Sequence, residues 1–336
     1  MYLYCDVGND FVSNRPTTAM KLAILTHNYP SEDNPSAGIF VVDHVHHLKK
    51  RDPSLDIRVH NFPFGEYPMT AAIKKPWKWP KFFFYFALLP VRVRRVIADA
   101  DRILAHWWLP AGIAAARVKG ERRLQVICHG TDMYLLQKYP LLAQAVKGLA
   151  AEVDNWQCVS KDLKRILLEL YPFIEEDRIF VEPMPVATEF YDMGRERPGD
   201  LIVSCGALIK RKRFDLLIQQ MNELPTLRLK IFGEGPEREH LQRIIAENRL
   251  EGRVQLPGNV SRETLNEAFN EASLFVLLSV DEGYGMVLKE AQAAGCPTMA
   301  YSWDGMVDTH LDYPVDPDQP VAEGIREAIK GQPDTS

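Results

Sequence analysis

Apolar residues along this chain fall into two alternating rhythms. Short continuous runs rich in β-branched residues are each followed by a stretch whose apolar positions recur every three to four residues. The first rhythm fits strands buried on both faces, and the second fits amphipathic helices laid over them. In the first half, strands are predicted at 21–26 (KLAILT), 56–62 (DIRVHNF), 102–106 (RILAH), 124–129 (LQVICH) and 155–159 (NWQCV). Helices are predicted at 39–50, 82–98, 111–119, 141–150 and 160–169. Such alternation builds βαβ units around a parallel sheet.

The rhythm pauses at 185–199, PVATEFYDMGRERPG, where proline, glycine and charge replace it, as in a hinge between domains. It resumes with strands at 201–205 (LIVSC), 227–232 (LRLKIF), 253–256, 274–280 (LFVLLSV) and 297–301 (PTMAY). Helices are expected at 213–222, 236–247, 262–272 and 286–294, and VAEGIREAIKGQ supplies one more. The expected organisation is a first α/β domain over 20–187, a linker at 188–199 and a second α/β domain over 200–336. Residues 1–19 read as a disordered or expression-derived extension, because the first natural strand starts just after Met20. Ligands of doubly wound sheets bind beyond the carboxyl ends of the strands, so with two domains the expected site is the cleft between them.

Composition narrows the function. A chain of 336 residues, 46% hydrophobic and 25% charged, has the make-up of an ordinary globular protein. Its formal charge of −5 argues against a nucleic-acid partner, which calls for a basic surface. The five cysteines, Cys5, Cys128, Cys158, Cys205 and Cys296, include no CxxC pair, and three sit in strand-like runs. That suits buried thiols in a reducing cytoplasm better than a disulfide framework. No apolar stretch reaches the ~18–20 residues of a membrane-spanning helix. The opening lacks the basic start and apolar stretch of a secretory signal, so a cytoplasmic location is expected.

The candidate chemistry concentrates at 281–297, DEGYGMVLKEAQAAGCP. Gly283 and Gly285 permit a tight turn that brings backbone close to a ligand. Met286, Val287, Leu288, Ala291 and Ala294 then form the buried stripe of a helix ended by Gly295, with Pro297 just beyond. The amides at 285–287 therefore sit at a helix N-terminus, an anion site suited to a diphosphate. Glu290, a turn further in, can accept two hydrogen bonds from vicinal hydroxyls such as those of a ribose. Glu282, ahead of the helix, can reach past the phosphates to the group they carry. Spacing alone leaves a plainer alternative open, with Glu282 capping the helix and Glu290 solvated on its face.

This stretch resembles the E-x7-E signature of retaining glycosyltransferases of the GT-B fold, family 4 (glycosyl transferases group 1). That signature reads E-G-F-G-x-x-x-x-E-A-x-A-x-G-x-P, and the chain supplies Glu282, Gly283, Tyr284, Gly285, Glu290, Ala291, Ala293, Gly295 and Pro297. Residues 231–279 are similar to the family's C-terminal domain, and AHWWLPAG (105–112) and CHGTD (128–132) resemble landmarks of its N-terminal domain. The likeness covers roughly 20–325. It implies an α/β GT-B fold, two Rossmann-like doubly wound domains facing across a cleft. It also implies a hexosyltransferase-type enzyme, retaining and metal-independent, with no cofactor. The implied donor is a UDP- or GDP-linked sugar, and the acceptor is a hydroxyl of a glycan or a lipid-linked molecule, as in polysaccharide biosynthesis.

The resemblance also assigns roles. Glu282, Lys212 and His129 are the implied catalytic residues. Lys212, in GALIKRKRFDLLI, stands where the family places a lysine on the departing diphosphate, a position where a cation offsets the growing charge. His129 stands where the family's histidine meets the donor sugar, and Asp132 can orient a neighbour. Gly38 matches a position of close backbone approach to donor or acceptor. Gly233, in GEGP, and Val260 fall where backbone holds the base. Gly285, Met286, Val287 and Glu290 complete the donor site.

Some features depart from the family pattern. Ala207 replaces an arginine that usually follows the segment's glycine, leaving Lys210, Arg211 or Arg213 to supply that cation. MPVAT at 184–188 lacks the usual glycine and aspartate, and no terminal helix crossing back to the first domain is evident. These departures keep a catalytically weak scaffold or partner subunit as an alternative, and a nucleotide-sugar epimerase is another. No metal site is expected. HVHH (44–47) puts His44 and His47 on one helix face with no further ligand, which reads as a solvated face. Residues 74–95, KKPWKWPKFFFYFALLPVRVRR, interleave basic and aromatic residues without an acid. They read either as a peripheral contact with the inner face of a membrane or as a helix buried against the first sheet.

Overall fold

In the second half of the chain the buried runs become strands β7 (Leu201–Cys205), β8 (Arg228–Phe232), β9 (Val254–Gly258), β10 (Leu274–Leu277), β11 (Thr298–Tyr301) and β12 (Tyr313–Val315). They form a sheet of order β12-β11-β10-β7-β8-β9, with every neighbouring pair parallel. Alternate residues feed two cores. Ile202, Leu229, Ile231, Leu274, Val276, Met299 and Tyr301 pack with helices Phe214–Gln220, Arg238–Glu247 and Val321–Lys330. Leu201, Val203, Phe275, Leu277 and Ala300 pack with Arg262–Glu271 and Met286–Ala293 on the other face. Period-two alternation between two covered faces is why the central strands β7 and β10 bury residues on both sides.

The first half repeats the plan with β1 (Lys21–Thr26), β2 (Asp56–Asn61), β3 (Arg102–His106), β4 (Arg123–Cys128), β5 (Asn155–Cys158) and β6 (Ile179–Val181), in the order β2-β1-β3-β4-β5-β6. Helices Ile39–Arg51, Trp79–Val96, Ile113–Val118, Thr131–Lys138, Pro140–Ala150 and Lys161–Leu170 connect the strands. This computed structural model describes residues 19–32, 37–64, 79–280, 284–302 and 311–331. It divides into two compact units, Met1–Cys158 with Leu167–Phe180, and Val159–Ile166 with Val181–Ser336. The extension expected at 1–19 lies almost wholly outside the described residues, as do Lys74, Lys75, Trp77 and Lys78.

Two six-stranded parallel sheets flanked by helices are the two Rossmann-like α/β halves expected from the sequence. The sequence pattern passed over β6 and β12, three-residue strands too short to show a period. It also passed over helix Thr131–Lys138, which starts directly after the HG turn. The helix expected at 111–119 narrows to Ile113–Val118 and is entered through a wider turn over Trp108–Gly112 that includes a cis Leu109–Pro110 bond. In the helix Trp79–Val96, Tyr85, Leu89 and Val93 form a buried stripe at a four-residue spacing. Phe84 and Val91 are 66% and 50% exposed, so apolar side chains also lie on the solvent side, beside Arg94 and Arg95.

Candidate functional site

In each sheet the strand order reverses once, between β7 and β10 and between β1 and β3. At such a point neighbouring loops depart to opposite faces and open a crevice at the carboxyl edge. The loop after β7 holds Arg211 and Lys212, the segment after β10 leads to Gly285 and Glu290, and the loops after β8 and β9 hold Gly233 and Val260.

Gly206 follows β7 with φ 149°, and the next turn, Lys210–Lys212, closes on Arg213 at φ 53°. The Lys212 side chain folds back along Gly206, its Cε 3.2 Å from where a Cβ on residue 206 would stand. The glycine thus makes room for the lysine stem. The adjacent Cys205 thiol is pushed up to about 12, first by burial, then by the Glu290 charge, with the Lys212 ammonium opposing. Glu290 and Lys212 therefore act on one point at the end of β7. The Val280 N–H donates to the Arg211 carbonyl at 3.1 Å, tying the segment that leads into 281–285 to the lysine turn.

Gly285 heads the helix Met286–Ala293 in the left-handed region, φ 67° and ψ 54°, with no side-chain cap. A helix start leaves its first amides without intrahelical partners, and the partly exposed Met286 and Val287 lie in that first turn. Glu290 lies one turn in and is half-buried. Glu282 and Gly283 lie outside the described residues.

Gly233 has φ 133°, and a Cβ there would stand 2.0 Å from the Gly206 carbonyl oxygen. Its N–H donates to the Gly258 carbonyl at 2.9 Å, while the Gly206 N–H donates to the Phe232 carbonyl at 3.0 Å. The loops after β7, β8 and β9 are therefore interlocked through backbone, and glycine at 233 is required by that crossing alone. Val260, 36% exposed, sits just before Ser261, whose hydroxyl caps the helix Arg262–Glu271. Of the cations offered in place of an arginine at 207, Arg213 lies over the Tyr301 ring at 5.5 Å. Lys210 lines a hollow of about 230 Å³ together with Asp215, Glu237 and His240. Arg211 is the one bonded through its backbone to the chain entering the 281–285 loop.

The first unit gathers its candidates after β1, β3 and β4. Gly38 caps the helix Ile39–Arg51 with φ 58°, and a Cβ there would lie 2.1 Å from the Asn28 carbonyl oxygen. That carbonyl also accepts the Thr26 hydroxyl at 2.9 Å, which fixes the turn after β1. Asp132 is buried, and its carboxylate joins two loops: Oδ2 accepts the Trp108 N–H at 2.8 Å and Oδ1 accepts the Gly130 N–H at 3.1 Å. Burial outweighs these amides and lifts its pKa to about 6. Its carboxylate is thus engaged with backbone.

Around His129 lies a group that the sequence pattern did not single out. His129 Nε2 meets His106 Nδ1 at 3.0 Å, and His106 Nε2 meets His44 Nδ1 at 3.2 Å. Trp107, at φ 70°, sits 4.6 Å from the His129 ring and 4.5 Å from that of His27, and Phe40 lies 4.9 Å from His129. Burial drives all four histidines towards the neutral form, His27 and His44 to about 4, His129 to about 3, and His106 well below its usual value. His44 is therefore a buried, hydrogen-bonded residue and not part of a solvated face. One signal was present, because His44 falls three residues after the buried Val41 on the helix's inner stripe. Among the described residues no group of three His, Cys, Asp or Glu is arranged to hold a metal ion.

Two family models match consecutive parts of the chain: Glycosyltransferase Family 4 over residues 37–190 and Glycosyl transferases group 1 over residues 191–334. A GDP-mannose-dependent α-(1-6)-phosphatidylinositol monomannoside mannosyltransferase of Mycolicibacterium smegmatis is 29% identical over 250 residues, covering 66% of this chain and 64% of that protein. Sucrose-phosphate synthase from Thermosynechococcus elongatus has a similar structure, with TM-score 0.71, 17% identity, and coverage of 93% and 90% of the two chains. HepE from Anabaena, in complex with UDP and glucose, gives TM-score 0.65 at 16% identity, with coverage of 93% and 90%. The matched stretches span between 20% and 64% of the length of the first curated relatives.

Proposed function

The chain belongs to the GT-B glycosyltransferases that these two family models describe, and from that premise we propose a retaining transfer of a hexose. The donor is a nucleotide-diphosphate sugar, UDP- or GDP-linked, and the acceptor is a hydroxyl on a glycan or lipid-linked molecule. The observation that carries this reading is that the Lys212 and Glu290 charges both act on Cys205 at the end of β7, with Glu290 standing one turn into the helix that Gly285 heads. A helix N-terminus and a lysine together suit a diphosphate leaving group, and they stabilise the charge that grows as the glycosidic bond breaks. A carboxylate one turn away suits the vicinal hydroxyls of a ribose. In this reading Glu282 and His129 meet the donor sugar, and no divalent ion is needed. The departing phosphate takes the acceptor's proton, so that leaving and attack share one face of the sugar.

Relatives lend both bases to the proposal, one being GDP-mannose-dependent and another holding UDP with glucose. A thermal-shift screen against UDP-, GDP- and ADP-sugars selects between them, and product analysis with donor alone distinguishes an epimerase. Transfer by Lys212→Ala and Glu282→Ala tests the site, with loss of at least a hundredfold in kcat expected for each and the fold retained. Wild-type rates in both variants would overturn it. Failure of the wild-type protein to bind any nucleotide would favour the scaffold alternative raised by Ala207.

The acceptor side has one further support for a membrane surface. The helix Trp79–Val96 carries Phe84 and Val91 outward beside Arg94 and Arg95, an apolar and basic face suited to an anionic bilayer. No helix among the described residues is long and apolar enough to cross a membrane.

A further inference from the structure

The rings of His44, His106 and His129 come from a helix and two strand ends, and they link nitrogen to nitrogen. In a neutral imidazole one nitrogen donates and the other accepts. Each link therefore needs one ring to donate and the next to accept. Only two arrangements of three neutral rings satisfy both links: all three protons on Nδ1, or all three on Nε2. Any mixture sets two N–H groups or two lone pairs face to face in a buried place, which is costly. The tautomer of each ring is thus tied to that of the others. The nitrogens pair off along a line, so the cluster is a relay of hydrogen bonds and not a convergent metal site.

The ends of the chain differ. His106 is fully buried and His44 is 7% exposed, while His129 keeps partial exposure, so the chain opens to ligand at His129. Arg51 and His47 act electrostatically on His44, whereas among the described residues the groups acting on His129 are His44 and His27. Arg51 stands two turns beyond His44 on the same helix, and a cation on that side favours a lone pair, not an N–H, on the outward nitrogen of His44, which is Nε2. That choice selects the all-Nδ1 arrangement. Phe40 and Trp107 wall the His129 ring, and His106 stacks on it at an interplanar angle of 12°. Phe40 and Trp107 therefore help to orient the ring, and His106 both aligns with it and fixes its proton.

We propose that His106 and His44 are positioning residues that hold His129 as its Nδ1–H tautomer, presenting a hydrogen-bond donor to an oxygen of the bound sugar. The sugar contact rests on the transferase reading above, whereas the tautomer coupling stands without it. Depressed basicity throughout the cluster keeps the three rings neutral at neutral pH.

Long-range ¹H–¹⁵N spectra of the full chain labelled at histidine, recorded at pH 7.5, read the tautomer of each ring directly, with no substrate present. The His129 signal is identified by its loss in His129→Gln. In the wild type His129 should appear as Nδ1–H alone. In His106→Phe it should move to Nε2–H, the form free histidine prefers. In His44→Phe, which touches His129 nowhere in the chain of bonds, it should become a mixture. Thermal unfolding confirms that each variant is folded, and should His106→Phe not fold, the wild type and His44→Phe carry the test. An Nε2–H His129 in the wild type, or an unchanged Nδ1–H signal in folded His44→Phe, would overturn the proposal. Where transfer is measurable, kcat should fall about tenfold or more in His44→Phe with the donor KM nearly unchanged, as for a lost partner of a buried polar group. If the wild type transfers no sugar, the transferase reading fails while the spectra still decide the coupling.

Discussion

Acidification from pH 7.5 to 5 probes the buried histidines of the first unit most directly. Burial is the largest cause for each and holds His27 and His44 at about 4 and His129 at about 3, with His106 depressed in the same direction. In the unfolded chain a histidine titrates near ~6.5. Between the folded and unfolded values the unfolded state binds more protons, so stability is complete above ~6.5 and falls as pH drops towards 4. At pH 5 each unfolded histidine is nearly fully protonated and its folded counterpart is not, a difference of about 2 kcal/mol per group. The result depends little on how far below 5 the folded value lies, because the unfolded value sets it. His27, His44 and His129 together lose about 6 kcal/mol, and His106 acts in the same direction. Asp132 opposes them. Its folded value of about 6 lies above that of an unfolded carboxylate, so the folded state takes a proton first and gains about 1 kcal/mol by pH 5. The net loss of about 5 kcal/mol is comparable to the whole stability of a small domain.

Urea unfolding followed by tryptophan fluorescence at the two pH values measures this. Trp77, Trp79, Trp107, Trp108 and Trp156 all precede residue 158 and only Trp303 follows it, so the signal reports chiefly on the first unit. His44→Phe removes one titrating ring and should shrink the pH difference by about 2 kcal/mol. A wild-type unfolding free energy that shifts by less than about 1 kcal/mol between pH 7.5 and 5 would refute the reasoning.

Two other outcomes follow from particular contacts. Asp132→Ala leaves the Trp108 and Gly130 amides without their acceptor and should lower unfolding free energy by about 2–4 kcal/mol, with Asp132→Asn milder; an effect under about 0.5 kcal/mol would show that those bonds matter little. Flotation with anionic vesicles at low salt should carry the protein upward, and Phe84→Glu with Val91→Glu should abolish this, whereas vesicle binding that survives both charges would remove the exposed face of Trp79–Val96 as the contact.

Local patterns carried much of the architecture. Alternation of buried runs with three-to-four-residue periods requires no knowledge of distant partners, so the two α/β halves and most element positions were legible. The turn-to-helix junction at Gly285 was legible for the same reason, because a glycine turn, an apolar stripe and a C-terminal glycine lie within seventeen residues. Short edge strands such as Ile179–Val181 were not legible, because three residues carry no period. Glycines 38 and 233 were recognised as special from the resemblance, but the close carbonyls of Asn28 and Gly206 that demand them came only from packing.

His44, lying in HVHH, looked like one of a helix's outer residues until Ile39–Arg51 was laid against the sheet. The strand crossing then brought it to His106 and His129, which are remote from it in sequence. Likewise, nothing in the order of residues brings the Lys212 ammonium and the Glu290 carboxylate within electrostatic reach of one thiol. Hydrophobic period is a property of neighbours along the chain, so it can be read from them. Burial, hydrogen-bond partnership and the proton affinities that follow are properties of neighbours in space, and these exist only once parallel strands have brought distant segments to a common edge.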